Sequence, residues 1–284
     1  MAIRQILTHP GSAHKDEFLA CAVLAGLHGV TIVRREPTDE DLADPATAVV
    51  DVGGHHDPAR RNFDHHQFPV EAPPCCALSL VLMDLGIYDD ARSFCDWLET
   101  AERFDVTGPN STAKWLGVDR DTLAKLNSPV DVTLLRRFAK CQQLEPGEPL
   151  YEVMRWIGAD LVEYLHSLRE RLRFVGEHAV MWQVAGEKVL YLPRTEPLPA
   201  EPSAGIGRYL MEQGLHEEVA ALVYPDRRGQ GYGLSRHNDD PRFDFTRIED
   251  EGDVHFAHAR GFVAKSSATT EERLRELLER AKVG

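Results

Sequence analysis

The chain is 284 residues long, 43% hydrophobic and 27% charged, proportions that suit a folded core, and its length predicts two domains. Its 46 acidic against 32 basic side chains leave a formal net charge of −14. This excludes a broad basic face for long duplex nucleic acid, which Lys and Arg must neutralise, but not a small phosphorylated substrate held beside divalent cations.

Residues 3–8 read as a short strand, broken at Gly11-Ser12. Residues 16–27 follow with Phe18, Leu19, Ala22, Val23 and Leu27 at helical spacing. Residues 31–34 form a second strand, and residues 47–52 a third, closed by Gly53-Gly54. Apolar strands alternating with helices predict an α/β domain, a parallel sheet with helices on both faces. Residues 75–85 and 89–103 read as two helices split by Gly86, and residues 119–174 as helix-rich, ending in an amphipathic stretch over 150–174.

The character then changes. Residues 178–193 predict a hairpin turning at Ala185-Gly186, and a loop with four prolines follows. Residues 218–238 predict a second hairpin, residues 253–265 one more strand, and residues 270–282 a charged amphipathic helix capped by Thr269 or Thr270. A boundary at 174/175 therefore separates an N-terminal α/β domain with a helical extension, 1–174, from a smaller α+β domain, 175–284. The five cysteines (Cys21, Cys75, Cys76, Cys95 and Cys141) form no C-x-x-C pair and read as small buried hydrophobes. No apolar run reaches the ~18 residues of a membrane span, and the N-terminus lacks the apolar centre of a signal peptide. The expectation is a cytoplasmic protein without membrane contact.

In open α/β sheets, ligands gather at the carboxyl ends of the strands. The first strand ends in T-H-P-G-S-A-H-K-D-E, which places His9, His14 and Asp16 on the loop and at the helix start. The third ends in V-V-D-V-G-G, and Asp51 in that apolar run is costly unless it is paired or binds a metal. N-F-D-H-H-Q then supplies Asp64, His65 and His66, and A-E-R-F-D-V-T-G puts Asp105 before a Gly-containing loop. Taken singly, the two early histidines could be loop polars, Asp51 turn chemistry and Asp105 a solvated carboxylate. Together they are carboxylate and imidazole donors at element ends, without thiolates. That set suits Mn²⁺, Mg²⁺ or Fe²⁺ better than structural zinc.

The order His9…His14-x-Asp16, Asp51, Asp64-His65-His66, Asp105 resembles the DHH phosphoesterase superfamily of nucleases, oligoribonucleases and manganese pyrophosphatases. T-H-P-G-S-A-H-K-D-E, V-D-V-G-G, F-D-H-H-Q and the late F-A-H-A-R-G-F are similar to its melanocyte-proliferating-gene (MYG) branch. The resemblance implies a DHH-type N-terminal domain with two divalent ions, Mn²⁺ before Mg²⁺ or Fe²⁺. His9, His14 and Asp51 would hold one ion. Asp16, Asp51, His65 and Asp105 would hold the other, with Asp51 bridging.

His66 would face the substrate as a catalytic group and Asp64 would orient its neighbours. Y-G-L-S-R-H-N and F-A-H-A-R-G-F nominate Arg236, His258 and Gly261 of the second domain as substrate contacts. His14 stands where most of the superfamily has a carboxylate, and Pro10 replaces the branch's asparagine. The implied activity is phosphodiester hydrolysis, as a 3′–5′ exonuclease on RNA or short oligonucleotides. The alternatives are a phosphatase of a nucleotide bisphosphate or pyrophosphate, and a non-catalytic metal- or nucleotide-binding regulator. His55 and His56 match no ligand position.

Overall fold

The computed structural model describes residues 2–125 and 128–284. Met1, and Leu126 and Asn127 within the stretch read as helix-rich, lie outside the described residues. The chain divides into two compact units, Met1–His166 and Ser167–Gly284.

The N-terminal unit runs β1 (Gln5–Thr8), α1 (Lys15–His28), β2 (Thr31–Arg34), α2 (Asp39–Ala43), β3 (Thr47–Val50), β4 (His56–Asp57) and β5 (Asn62–Phe63). It continues through α3 (Ala77–Asp84), α4 (Tyr88–Phe94), α5 (Asp96–Trp115), α6 (Arg120–Lys125), α7 (Pro129–Phe138) and β6 (Gln143–Leu144) into α8 (Pro149–His178), within which the units divide. Its sheet has the order β4-β5-β3-β1-β2-β6. The inner pairs β5-β3, β3-β1 and β1-β2 are parallel, and the two-residue edge strands β4 and β6 are antiparallel.

β-Branched residues in β2 and β3 suit a pleated, buried strand. Leu7 and Val49 are register partners and pack with Leu42 of α2, while α1 packs against β1, β2 and β3. α1 also lies close against α8. A Cβ on Gly158 would sit 1.9 Å from the Ala22 carbonyl oxygen, so only glycine permits that approach.

Residues 89–103 are not one helix. The backbone leaves helical geometry at Cys95 (φ −110°, ψ 87°), dividing α4 from α5. α5 runs on to Trp115 with a break at Gly108 (φ 77°, ψ 169°), the residue before Pro109. Glycine takes up the left-handed φ there and proline restricts its neighbour.

The C-terminal unit adds β7 (Val180–Val184), β8 (Glu187–Tyr191), α9 (Ile206–Glu212), β9 (Val219–Pro225), β10 (Tyr232–Arg236), β11 (Val254–Ala257), β12 (Val263–Ser266) and α10 (Glu271–Ala281). The sheet order is β11-β12-β10-β9-β8-β7, antiparallel except for the parallel β8-β9 pair. Ala185 and Gly186, both with positive φ, turn the first hairpin.

Residues 253–265 are two strands rather than the single one expected. Gly261, at φ 67° with its N–H on the His258 carbonyl at 2.7 Å, reverses the chain between β11 and β12. α10 starts at the Thr270 cap and buries Leu274, Leu277 and Leu278 with Val189, Leu234 and Phe245. Ile206 and Leu210 of α9 join Val175 and Leu190 in a second cluster.

Candidate metal centre

The parallel strands deliver their following residues to one end of the N-terminal sheet. His9 follows β1, and His14 caps α1, whose first turn carries Asp16 and Glu17. Asp51 follows β3 in the left-handed region (φ 58°), with its N–H donating to the Phe63 carbonyl at 3.0 Å. Asp64, His65 and His66 follow β5. Asp105 arrives from α5, in the turn before the break at Gly108.

These residues meet. His65 Nε2 lies 3.1 Å from both Asp51 Oδ1 and Asp105 Oδ2, and His9 Nε2 is 3.6 Å from Asp51 Oδ2 and 3.2 Å from Glu17 Oε1. His14 Nδ1 is 3.9 Å from Asp105 Oδ1. Three donor sets result: His9, His14, Glu17 and Asp51; Asp51, His65 and His66; and His14, Asp16 and Asp105. The donor atoms of each set all lie within 4.8 Å of one another. Asp51 is common to the first two sets and His14 to the first and third. The grouping implied by the family resemblance puts Asp16 with Asp51, His65 and Asp105; here Asp16 shares a donor set with that Asp105 and with His14.

Hydrogen bonding leaves this cluster short. Asp16, Asp51 and His65 are buried, yet Asp16 Oδ1, Asp51 Oδ1 and His65 Nε2 make no hydrogen bond among the described residues. Close as it is to two carboxylates, His65 Nε2 is not aligned for a hydrogen bond to either. Buried polar atoms without partners are costly, and a cation would satisfy all three. The His9 ring points the same way. Its Nδ1 lies 2.9 Å from the Pro10 carbonyl and donates there in the neutral tautomer, which leaves the Nε2 lone pair facing Asp51 and Glu17.

Electrostatics agree with the geometry. Burial, then the Asp51 and Asp105 carboxylates, push the Asp16 carboxyl well above its usual range. The hydrogen bond to Glu17 raises His9 to about 9. Burial opposes charge on His65, but Asp105 and Asp51 outweigh it and carry the ring to about 10. The negative cluster thus draws protons onto rings that would have to surrender them to a cation. Imidazole nitrogen and carboxylate oxygen without thiolate suit divalent ions that accept N and O donors.

Asp64 and His66 form a pair beside the cluster. Asp64 Oδ1 lies 2.7 Å from His66 Nδ1 and also accepts the His66 N–H at 3.0 Å, while Oδ2 accepts the Gly54 N–H at 2.6 Å. Burial opposes ionisation of Asp64, but these bonds hold its carboxyl below the usual range. His66 remains largely exposed, with Nε2 turned from the carboxylate, although its Nδ1 is also only 3.7 Å from Asp51 Oδ1. Glu17 is the residue that the strand-end reading missed. It is fully buried, accepts the His14 N–H at 2.6 Å and lies 3.3 Å from the buried guanidinium of Arg34, which also donates to the Gly11, Ser12 and Phe138 carbonyls. Its signal was the capping-box spacing His14-x-x-Glu17.

His55 and His56 stay outside the cluster. His56 packs edge-on against Phe68, and the His55 carbonyl accepts the Asp64 N–H. In the C-terminal unit, Arg236 and Gly261 are neighbours. A Cβ on Gly261 would meet Asp244 Oδ1 at 2.0 Å and the Arg236 guanidinium at 3.1 Å. His258 Nδ1 accepts the Arg260 N–H and its ring packs on Phe262, 4.1 Å between centroids.

Residues 5–72, which carry most of the cluster, match the MYG1_exonuc family model, described as uncharacterised protein family UPF0160. The similarity to the MYG1 family is thus confined to residues 5–72. The human and bovine MYG1 exonucleases are each 51% identical to this chain over 71 residues, and the rat protein is 48% identical over the same length. The matched stretch is 24% of this chain and 18% of each relative. Among solved structures, a pGpG-specific phosphodiesterase from Vibrio cholerae is similar at 12% identity, covering 98% of both chains. A DHH domain from a protein described as a member of a family of ribosomal proteins is similar at 14% identity, covering 98% of this chain and 85% of that one. Both have a TM-score of 0.31, too low to bear on fold or activity. No described helix is long and apolar enough to cross a membrane.

Proposed function

We propose that the chain is a metal-dependent phosphoesterase that hydrolyses phosphodiester bonds, acting as a 3′–5′ exonuclease on RNA or short oligonucleotides. The observation that carries this reading is Asp51: a buried carboxylate shared by two donor sets, with one oxygen free of hydrogen bonds among the described residues. The 51% identity of the segment around it to MYG1 exonuclease supports the choice of reaction. His9, His14, Asp16, Asp51, His65 and Asp105 would hold two divalent ions, Mn²⁺ in the first instance, with Glu17 beside His9. Bound there, the ions would supply Lewis acidity toward a phosphoryl oxygen and lower the pKa of a bound water.

The chain's own residues do the rest. Asp64 fixes the ring of His66 through Nδ1, so that Nε2 is presented outward to a phosphoryl oxygen or a leaving group. The Gly54 and His66 N–H groups keep Asp64 ionised and so keep that ring oriented. Arg236, whose planar fork matches phosphate geometry, is proposed as a substrate contact together with His258 and Gly261.

The test is turnover of short RNA, a nucleotide bisphosphate and pyrophosphate with added Mn²⁺, for the wild type, Asp51→Ala and His65→Ala. RNA shortened from its 3′ end by the wild type alone is the expected result. Turnover of only the small substrates would make the protein a phosphatase. Neither Mn²⁺ binding nor turnover in the wild type would overturn the enzyme reading, and full activity in Asp51→Ala would overturn the site.

A further inference from the structure

A cavity of about 460 Å³ opens in the C-terminal unit where the β9-β10 turn meets β11 and β12. Its wall is built. Arg194 donates to the carbonyls of Asp226, Gly229 and Gly231 at 3.0, 2.7 and 3.0 Å, clamping the D-R-R-G-Q-G turn into one shape. Gly231 is pressed onto β12 so closely that a Cβ would lie 1.9 Å from the Ser266 carbonyl oxygen.

Three kinds of unspent chemistry line this rigid turn. Asp226 is buried, at 6% exposure, and its Oδ1 takes Lys265 Nζ at 3.0 Å and the Arg228 N–H at 3.2 Å. Its Oδ2 has no hydrogen bond among the described residues; His255 Nε2 is near it at 4.0 Å. The side chains of Arg228 and Gln230 line the cavity and have no polar partner among the described residues. Phe256 also lines the cavity and leaves 44% of its surface exposed.

A flat exposed ring, a buried acceptor and an uncommitted guanidinium around one cavity ask for a ligand that is planar, carries N–H donors and bears an anion. We infer that this cavity binds a nucleoside 5′-phosphate whose base carries an exocyclic amino group. The base stacks on Phe256, its amino group donates to Asp226 Oδ2, and Arg228 takes the phosphate. A bare anion leaves the ring and the carboxylate unused. Uracil presents its ring N–H between two carbonyl oxygens that a carboxylate repels. The ligand class is read from this cavity alone, so its failure and that of the hydrolysis reading are separable.

The experiment is calorimetric titration of full-length Asp51→Ala protein in EDTA with AMP, UMP and inorganic phosphate. AMP is expected to bind about tenfold more tightly than UMP or phosphate, and Phe256→Ala and Arg228→Ala each to weaken AMP about tenfold, the scale of one lost stacking or charge-assisted contact. Phe256→Leu keeps the apolar volume without the aromatic face and should match Phe256→Ala; unchanged circular dichroism shows that the variants fold. Asp226→Asn should abolish the preference of AMP over UMP. No AMP binding at millimolar concentration, equal affinity for all three probes, or AMP affinity indifferent to Phe256 and Arg228 would each overturn the site.

Discussion

Glu102 and Asp16 are carboxylates of the N-terminal unit buried to the same degree, 1% and 2% exposed, in surroundings of opposite kinds. Glu102 accepts the Ser79 hydroxyl at 2.6 Å, the Tyr88 hydroxyl at 2.7 Å and the Arg92 guanidinium at 2.9 Å, so both oxygens are used and a cation is at hand. Among the described residues Asp16 accepts only the Ala77 N–H, at 3.3 Å, leaves Oδ1 unmet and faces other carboxylates. The first network completes itself and holds α3, α4 and α5 together. The second is complete only with something added, and its loose ends all carry lone pairs. Burial alone would not separate architecture from site; the state of the hydrogen bonds does.

The sharpest way to break this contrast is Asp51→Asn. Asparagine tolerates the left-handed backbone at this position, so the fold is spared while one charge and one bidentate oxygen pair are lost. Turnover and Mn²⁺ affinity should each fall by more than the ~10–100-fold typical of an outer partner of a metal ligand. Above pH 10, where His9 and His65 are neutral and only carboxylate repulsion remains, the melting temperature of the metal-free protein should hold or rise. Retained turnover, or a metal-free protein that melts earlier at that pH, would erase the distinction. Glu102→Ala should do the reverse. It strands the Ser79 and Tyr88 hydroxyls and leaves Arg92 only its half-exposed pair with Glu99, costing about 3 kcal/mol in denaturant unfolding, whereas the protein that remains folded keeps its Mn²⁺ affinity.

How much of this could be read beforehand follows the same division. β1, β2, β3 and α1 are legible because each carries an apolar run bounded by polar residues or glycine. β4 and β6, two residues each, cannot show one, and they are what make the sheet mixed at its edges. The turn at Gly261 hides inside F-A-H-A-R-G-F, where no Asn-Gly or Asp-Gly pair marks a hairpin. His9, Asp51 and the Asp64-His65-His66 run are visible as polar residues where apolar strands stop. Glu17 is not: its surroundings come from Arg34 at the end of another strand and from the far side of the His9 ring. A strand-end rule finds residues that reach a site directly and misses one defined by a partner distant in sequence.

A milder probe is Asp64→Asn, which keeps the size of the side chain and weakens its hold on His66 Nδ1 and the Gly54 N–H. A loss of about 10–100-fold in kcat with little change in Mn²⁺ affinity is expected of a group that orients rather than ligates. Equal losses in both would move Asp64 into the metal-holding set.

The smallest effect is a slope with pH in the metal-free protein. His9 and His65 titrate at about 9 and about 10 in the folded chain, above the ordinary 6.5 of an unfolded histidine. Between these limits the folded state binds more protons than the unfolded one. The stabilisation is therefore complete below about pH 6.5 and drains away as pH climbs through 9 and 10. The raised carboxyl of Asp16 acts in the same direction, whereas Asp64 and Asp105, held low, matter only on the acid side. A cation that takes the place of those protons removes the slope and binds more tightly as pH rises. Denaturant midpoints at pH 6, 8 and 9.5 should thus fall steadily in EDTA and stay level in excess Mn²⁺. Parallel curves in the two conditions would mean that proton and cation do not compete for these rings. The cluster would then be a charged network in its own right, closer to Glu102 than to a metal centre.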